Sequence, residues 1–347
     1  MNSKILNIQA LRGIAVMLVL AFHLLSIESN YGHGYRLMSD YWIIGMSGVD
    51  LFFVISGFVM VTITGNQFQR SGVVRKFLFH RITRIYPLYW LFTLLALTVL
   101  LARPDMLKRG FEAHELLRAL LLLPQNSLPL LMVGWTLIHE MYFYIVFSLL
   151  LLFPERRVPL LLLVWAGITA VCNLLMPTSA GAAVRLITHP LTLEFIVGGT
   201  VGLLINRGIA RAGFACLIFG IASWLVGYAI HAYFGPIPSS WLRVFLFGLP
   251  MALMVYGLVV LETRHGKTLP NWMIGLGDAS YSIYLSHVLV MGAIARIGVE
   301  FVQAGIPAIR PLVLAALILA AVAFGIACHR LIEMPLIRAT RKMASFV

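Results

Sequence analysis

The chain has 347 residues, of which 61% are hydrophobic and only 11% are charged, and its formal net charge is +13 at pH 7. A soluble domain is typically about 25% charged, so this composition excludes an ordinary soluble protein and indicates a polytopic membrane protein. The basic residues lie mainly in short segments between apolar runs, without the fold signatures of a nucleic-acid-binding module. The positive charge therefore points to membrane topology and lipid contact, and no nucleic acid partner is expected.

The apolar runs predict an all-α transmembrane bundle, because the backbone of a segment in lipid must satisfy its own hydrogen bonds. No stretch has the alternating pattern of a transmembrane barrel. About ten spans are predicted, which puts both termini on one side of a single membrane-embedded domain over residues 1–347. The spans cover about 8–27, 43–65, 85–102, 131–153, 157–176, 190–205, 212–232, 241–261, 280–299 and 311–332.

Basic residues predict the orientation. With the amino terminus inside, seventeen of the 26 Lys and Arg residues fall in inside segments and nine in outside segments, which include Arg36, Arg103, Lys108 and Arg109. Cytoplasmic loops are enriched in Lys and Arg. Both termini are therefore predicted to be cytoplasmic.

The segment between the second and third spans is predicted to be a cytoplasmic basic loop. It contains Arg75, Lys76, Arg81 and Arg84, and arginine forks suit the oxygens of a phosphate group. The alternative is that these residues only set the topology. The chain has no P-loop or dinucleotide-binding glycine pattern, so a phosphate-bearing ligand would be held by side chains of this loop.

Three ionisable residues are predicted to lie deep in three different spans. Counting 1.5 Å per residue from the span ends puts His23 ~8 Å, Asp50 ~10 Å and Glu140 ~13 Å below the outer face. A carboxylate can hold an imidazole in one tautomer and stabilise its cation. The sequence thus predicts one functional layer, although a buried ion-pair network that only fixes helix packing remains an alternative.

His287 lies about seven residues into the ninth span and is predicted to be nearer the cytoplasmic half. It is a candidate donor-binding residue lining a passage below His23, or it simply bonds a neighbouring helix. The three cysteines, Cys172, Cys216 and Cys328, fall within apolar runs without the spacing of a metal site. They are expected to be small core residues, and no metal is expected.

A series of short motifs runs through the whole chain. The motifs are Leu11-Arg12-Gly13-Ile14-Ala15 with Phe22-His23, Gly48-Val49-Asp50-Leu51-Phe52-Phe53-Val54-Ile55-Ser56-Gly57-Phe58, Arg81-Ile82-Thr83-Arg84-Ile85-Tyr86-Pro87, Trp135-Thr136-Leu137 with Glu140 and Phe143-Tyr144, Ser280-Tyr281-Ser282-Ile283-Tyr284-Leu285-Ser286-His287, and Glu333-Met334-Pro335. In order and spacing this series resembles the acyltransferase-3 family of integral membrane acyltransferases. Within that family the chain looks like an exopolysaccharide or lipopolysaccharide O-acetyltransferase.

The resemblance implies acetyl-CoA as a cytoplasmic acyl donor, a glycan or lipid-linked glycan as acceptor, and a bacterial inner membrane location. The resemblance also implies that His23 corresponds to the essential histidine of the family and that Asp50 and Glu140 correspond to its acidic positions. The family often has Trp-Ser-Leu-Ser before the glutamate and a tryptophan before the late histidine. This chain has Ile138-His139 and Ser286 at those points, so the acceptor pocket is where it departs from the family.

The predicted function is an O-acetyltransferase in which His23, oriented by Asp50 or Glu140, removes a proton from a sugar hydroxyl. A covalent acetyl-histidine relay is a variant of this mechanism. The alternatives are a proton-coupled transporter and a non-catalytic subunit of a polysaccharide export system. The sequence shows no clear inverted repeat that would favour the transporter, and it leaves open a homo-oligomer.

Overall fold

The computed structural model describes residues 4–31, 40–102, 112–177, 179–235, 237, 239–303 and 310–344, and every regular element in these ranges is helical. The α-helices are α1 Leu6–Tyr31, α2 Ser47–Thr64, α3 Val73–Ala102, α4 Ala113–Leu120, α5 Gly134–Leu150, α6 Val158–Leu175, α7 Ala182–Ile187, α8 Thr192–Asn206, α9 Gly213–Phe234, α10 Ser240–Arg243, α11 Leu249–His265, α12 Asn271–Asp278, α13 Ser280–Gln303, α14 Arg310–Cys328 and α15 Met334–Ala344.

The predicted class of fold, an all-α polytopic bundle, is confirmed. Within the described ranges, nine segments are long and apolar enough to cross a membrane, and each coincides with a predicted span. The remaining predicted span corresponds to α5, whose 17 residues would be about 26 Å long, at the lower limit for crossing the hydrocarbon core. The cytoplasmic placement of the termini stays a prediction. Arg36, Arg103, Lys108 and Arg109, part of the charge count behind it, lie outside the described residues.

The chain forms two compact units that alternate along the sequence. Unit 1 comprises Met1–Phe52, Ala212–Pro238 and Leu246–Met334, and unit 2 comprises Phe53–Arg211, Ser239–Phe245 and Pro335–Val347. Unit 1 therefore contains α1, α9 and α11 to α14, whereas unit 2 contains α3 to α8 and α10. The single domain expected over 1–347 stays a prediction.

Glycines allow the helices of unit 1 to approach at backbone distance, as is common where membrane helices pack. A Cβ atom at Gly277 of α12 would lie 1.7 Å from the carbonyl oxygen of Gln9 in α1, and one at Gly13 would lie 2.5 Å from the carbonyl oxygen of Met273. Helix α12 therefore packs directly against the first half of α1. The same type of contact joins α9 to α11, where a Cβ atom at Gly257 would lie 2.7 Å from the carbonyl oxygen of Gly213.

Hydrogen bonds fix the start of α1 within unit 1. The carboxylate of Glu262 accepts the backbone N–H groups of Leu6 and Asn7 at 2.8 and 2.7 Å, which satisfies two donors that the first turn of a helix leaves free. The buried side-chain amide of Asn7 donates to the carbonyl oxygens of Leu258 and Lys267 at 2.8 and 2.9 Å. The base of α1 is thus bonded to both ends of the segment 258–267.

Unit 2 has a core of stacked aromatic rings. Phe143 of α5 stacks on Phe195 of α8 and on Trp165 of α6, with ring centroids 4.4 and 5.5 Å apart, and Phe53 of α2 stacks on the same Phe195 at 4.5 Å. A Cβ atom at Gly57 would lie 1.9 Å from the Phe195 carbonyl oxygen. Helices α2, α5, α6 and α8 are therefore packed around one aromatic stack.

Candidate active site

His23 of α1 and His287 of α13 lie in contact inside unit 1. Nδ1 of His23 is 3.3 Å from Nε2 of His287, and the ring centroids are 4.8 Å apart at an interplanar angle of 72°. His287 is completely buried. Two residues that the sequence assigned to different depths thus form one imidazole pair.

The hydrogen bonds around this pair determine which nitrogen of each neutral ring carries the proton. Nδ1 of His287 lies 2.7 Å from the carbonyl oxygen of Tyr284, which can only accept, so the proton is on Nδ1 and Nε2 of His287 has a lone pair. Nδ1 of His23 then donates, both to that lone pair and to the carbonyl oxygen of Val19 at 3.0 Å. The lone pair of His23 is therefore on Nε2, which can accept a proton from a substrate.

The predicted depth of His287, below His23, is wrong, and α12 explains the error. The sequence count started the ninth span near residue 280, at the membrane surface. In the structure the eight residues of α12 already lie beside the first half of α1, with Gly277 against Gln9. Helix α13 follows α12 at once. Starting from the contact between Gly277 and Gln9, His287 is ten residues further along its chain segment and His23 is fourteen residues further along α1. The two rings therefore reach a similar level.

A hydrogen-bonded group at the end of α14 ties down the start of α13. Ser282 donates to Oε2 of Glu333 at 2.7 Å, and Nδ1 of His329 donates to the same oxygen at 2.8 Å. Residues 329–333 form a π-helical turn, a feature that is frequent at functional sites. Because Ser282 lies five residues before His287 on α13, this group holds the helix that presents the imidazole. The sequence reading included Glu333 only as part of a motif.

Asp50 is fully buried in the first turn of α2. A carboxylate in that position is favoured by the positive end of the helix dipole. Its predicted catalytic role stays a prediction.

Glu140 lies in a polar cluster within unit 2. Its Oε1 accepts hydrogen bonds from the hydroxyl of Ser56 at 3.1 Å and from the hydroxyl of Tyr144, one helical turn further along α5. The guanidinium of Arg81 lies over the ring of Tyr144, 5.8 Å from its centroid, and over the ring of Phe77 at 5.7 Å. The structure thus joins the predicted acidic residue to a predicted donor-binding arginine. Sequence reasoning missed Ser56 and Tyr144 as members of this cluster, although the i, i+4 spacing of Glu140 and Tyr144 was a usable signal.

The expected basic loop is instead the beginning of a helix. Helix α3 starts at Val73, so these four basic residues lie near its beginning, and the stretch from Arg75 to Arg84 spans about 14 Å along the axis. Arg75 and Lys76 are exposed, whereas Arg81 and Arg84 are partly buried. The loop prediction is wrong because helix α3 begins well before the apolar part of the third span. Its charged first turns are not hydrophobic, so hydropathy does not reveal that they are helical.

Within the described part of the chain, no group of three or more His, Cys, Asp or Glu side chains is placed to hold a metal ion.

Comparison with known proteins identifies the class to which this bundle belongs. The sequence profile of the acyltransferase-3 family, described as an acyltransferase domain, matches residues 5–330. The chain belongs to this family of membrane acyltransferases. It is also 33% identical over 342 residues, covering 89% of this chain and 95% of the relative, to the exopolysaccharide production protein ExoZ of Rhizobium meliloti (strain 1021). No solved structure gives a significant match.

Proposed function

We propose that this protein is a plasma-membrane O-acetyltransferase that moves an acetyl group from acetyl-CoA to a hydroxyl of a cell-surface polysaccharide or its lipid-linked precursor. The observation that carries the proposal is the imidazole pair, in which Nε2 of His23 is left as a proton acceptor inside a family of acyltransferases. The similarity to a protein of exopolysaccharide production supports a glycan acceptor.

The reaction needs a base and an acid, and His23 supplies both in turn. Its Nε2 takes the proton of the sugar hydroxyl while the hydroxyl oxygen attacks the thioester carbonyl. The carbon–sulfur bond then breaks, and Nε2 returns the proton to the departing sulfur to give free coenzyme A. During the transfer Nδ1–H of the His23 imidazolium still faces two acceptors, the Val19 carbonyl and Nε2 of His287, and both stabilise the positive charge.

The basic side chains of α3 suit the donor. Arg75, Lys76, Arg81 and Arg84 provide positive charge along the start of the helix, and arginine binds phosphate oxygens in pairs. We assign them to the phosphates of coenzyme A. Glu140 accepts hydrogen bonds from Ser56 and Tyr144, and the guanidinium of Arg81 lies over the ring of the same Tyr144. The negative charge of Glu140 thus offsets the positive charge of the partly buried Arg81. Asp50, which is buried in unit 1, stays a proposed catalytic carboxylate, and His287 is reassigned from donor binding to orienting His23.

The test is the mass of surface glycans from cells with the protein, without it, and with the His23→Ala variant. The proposal expects an acetyl group per repeat unit that is present only with the active protein. Purified protein in nanodiscs with labelled acetyl-CoA and the deacetylated glycan should reproduce the transfer. Identical glycan masses in all three strains, together with no transfer in nanodiscs, would refute the acetyltransferase assignment.

A further inference from the structure

Unit 2 holds a second imidazole pair that the proposed chemistry does not use. His139 of α5 and His189, three residues before α8, have ring centroids 4.8 Å apart at an interplanar angle of 72°. Trp135, one turn earlier on α5, meets the His139 ring edge-to-face at 5.7 Å. Phe53 of α2 lies on another side of this ring at 6.1 Å. His139 is thus enclosed by an indole, a phenyl ring and an imidazole.

The hydrogen bonds of this pair are incomplete. Nδ1 of His189 accepts the backbone N–H of Leu191 at 3.2 Å, so the ring of His189 is neutral, with its proton on Nε2. Nδ1 of His139 is buried and makes no hydrogen bond within the described residues. A buried polar atom without a partner costs about 1–3 kcal/mol, and a ligand hydroxyl would remove that cost.

The pair lies next to the Glu140 cluster. His139 and Glu140 are neighbours on α5, and their side chains diverge by about 100°. On the facing helix α2, Phe53 contacts His139 and Ser56 bonds Glu140, and these two residues are about 4.5 Å apart along the axis. A ligand group bound at His139 would therefore lie within about one helical turn of Glu140.

We propose that Trp135, His139 and His189 form a subsite for one sugar ring of the acceptor, an inference that rests on the acetyltransferase function proposed above. A pyranose presents hydroxyls at its edge and C–H groups on its face. The imidazole nitrogens match the hydroxyls because the neutral His139 ring carries one donor and one acceptor, and His189, whose Nδ1 accepts from Leu191, keeps a donor at Nε2. The indole matches the C–H face.

The experiment measures sugar binding without the reaction. Wild-type protein in nanodiscs is mixed with cellotetraose, and saturation-transfer NMR reports binding in the absence of acetyl-CoA. The variants are His139→Phe, which keeps an aromatic ring without hydrogen-bonding groups, and His139→Gln, which keeps a donor and an acceptor. His231→Gln is the control, because His231 is a buried histidine of α9 in unit 1.

If the subsite exists, the cellotetraose signal should be at least tenfold weaker in His139→Phe, partly retained in His139→Gln and unchanged in His231→Gln. The affinity for acetyl-CoA should be equal in the wild type and the three variants. No signal in the wild type, or an undiminished signal in well-inserted His139→Phe, overturns the subsite. If cellotetraose binds as predicted but no acetyl group is transferred to any glycan, the acetyltransferase function fails and the subsite stands.

Discussion

At the scale of single residues, the chemistry of His23 depends on the atoms around one of its ring nitrogens. The Val19 carbonyl and the His287 ring both accept from Nδ1, which leaves Nε2 as the proton-accepting nitrogen. In the proposed mechanism, a buried imidazole performs the orienting role that a carboxylate performs in many hydrolases. A pair of neutral imidazoles is less polar than an imidazole paired with a carboxylate. Burying the neutral pair therefore costs less desolvation free energy than burying an ion pair.

The first prediction concerns this pair. His23→Ala should lower the turnover number of acetyl transfer by about 10²–10⁴-fold, the usual contribution of a general base. His287→Gln should have a smaller effect of about tenfold, because its amide oxygen can still accept from Nδ1 of His23. Acetyl-CoA affinity should stay the same in both. The exposed His265→Ala variant is the control, and near-normal turnover in correctly inserted His23→Ala would exclude His23 from the mechanism.

The second prediction concerns the arginines of α3. An Arg81→Ala/Arg84→Ala variant should bind acetyl-CoA about tenfold or more weakly, since a hydrogen bond to a charged group contributes about 1.5–3 kcal/mol. The salt dependence of binding should also decrease. Arg157→Ala is the matched control, because Arg157 is also predicted to be on the inside and lies outside α3. Equal affinity and equal salt dependence in the double variant would leave these arginines with a topological role alone.

At the scale of helices, hydropathy was sufficient to place nine of the ten predicted spans on helices of the described ranges, because a segment in lipid has no alternative to a helix. It was not sufficient to place His287, because α12 contains Gly275, Gly277 and a terminal Asp278, a composition that is typical of a loop. The polar start of α3 was missed for a related reason. Charged turns at the end of a span are helical, but they lie outside the apolar stretch by which the span is recognised in the sequence.

The partners of Glu140 could not be predicted from the sequence either, because they depend on tertiary structure. The depth of Glu140 could be estimated along its own helix, whereas its partners Ser56 and Tyr144 depend on how α2 and α5 are rotated about their axes. A single sequence does not specify that rotation. His23 and Glu140 were accessible to sequence reasoning because an ionisable residue in a span is itself a signal.

The third prediction tests the close contact between α12 and α1. Gly277→Ala puts a Cβ atom 1.7 Å from the Gln9 carbonyl oxygen, so α12 must move away from α1. Overpacking of this kind typically costs about 1–3 kcal/mol, and a shift of α13 would move His287 away from His23. The thermal unfolding temperature and the turnover number should therefore both fall.

Gly275→Ala, two residues earlier on the same helix, provides the control. A Cβ atom at Gly275 has no neighbour within 4 Å, and alanine is a better helix former than glycine by about 1 kcal/mol. This variant should be at least as stable as the wild type and fully active. If Gly277→Ala behaves like Gly275→Ala in both measurements, the contact between α12 and α1 does not position the imidazole pair.

At the scale of the whole molecule, function depends on which side of the membrane each helix end faces. Acetyl-CoA is a cytoplasmic metabolite in the proposed function, so the start of α3 with Arg75, Arg81 and Arg84 must open to the cytoplasm. The distribution of Lys and Arg, seventeen inside against nine outside, predicts this orientation by the positive-inside rule. The same orientation puts both termini in the cytoplasm and the segment between α6 and α7 outside.

The fourth prediction is that labelling of single cysteines will show this orientation. Cys172, Cys216 and Cys328 are first replaced by alanine, and Ser71→Cys or Ser179→Cys is then introduced. Both serines are exposed, Ser71 just before α3 and Ser179 between α6 and α7, and neither change alters the charges that determine topology. A membrane-impermeant maleimide should label Ser179→Cys in intact cells and Ser71→Cys only in inverted vesicles. The reverse pattern would put the α3 arginines on the outer face, out of reach of cytoplasmic acetyl-CoA, and would contradict both the topology and the donor assignment.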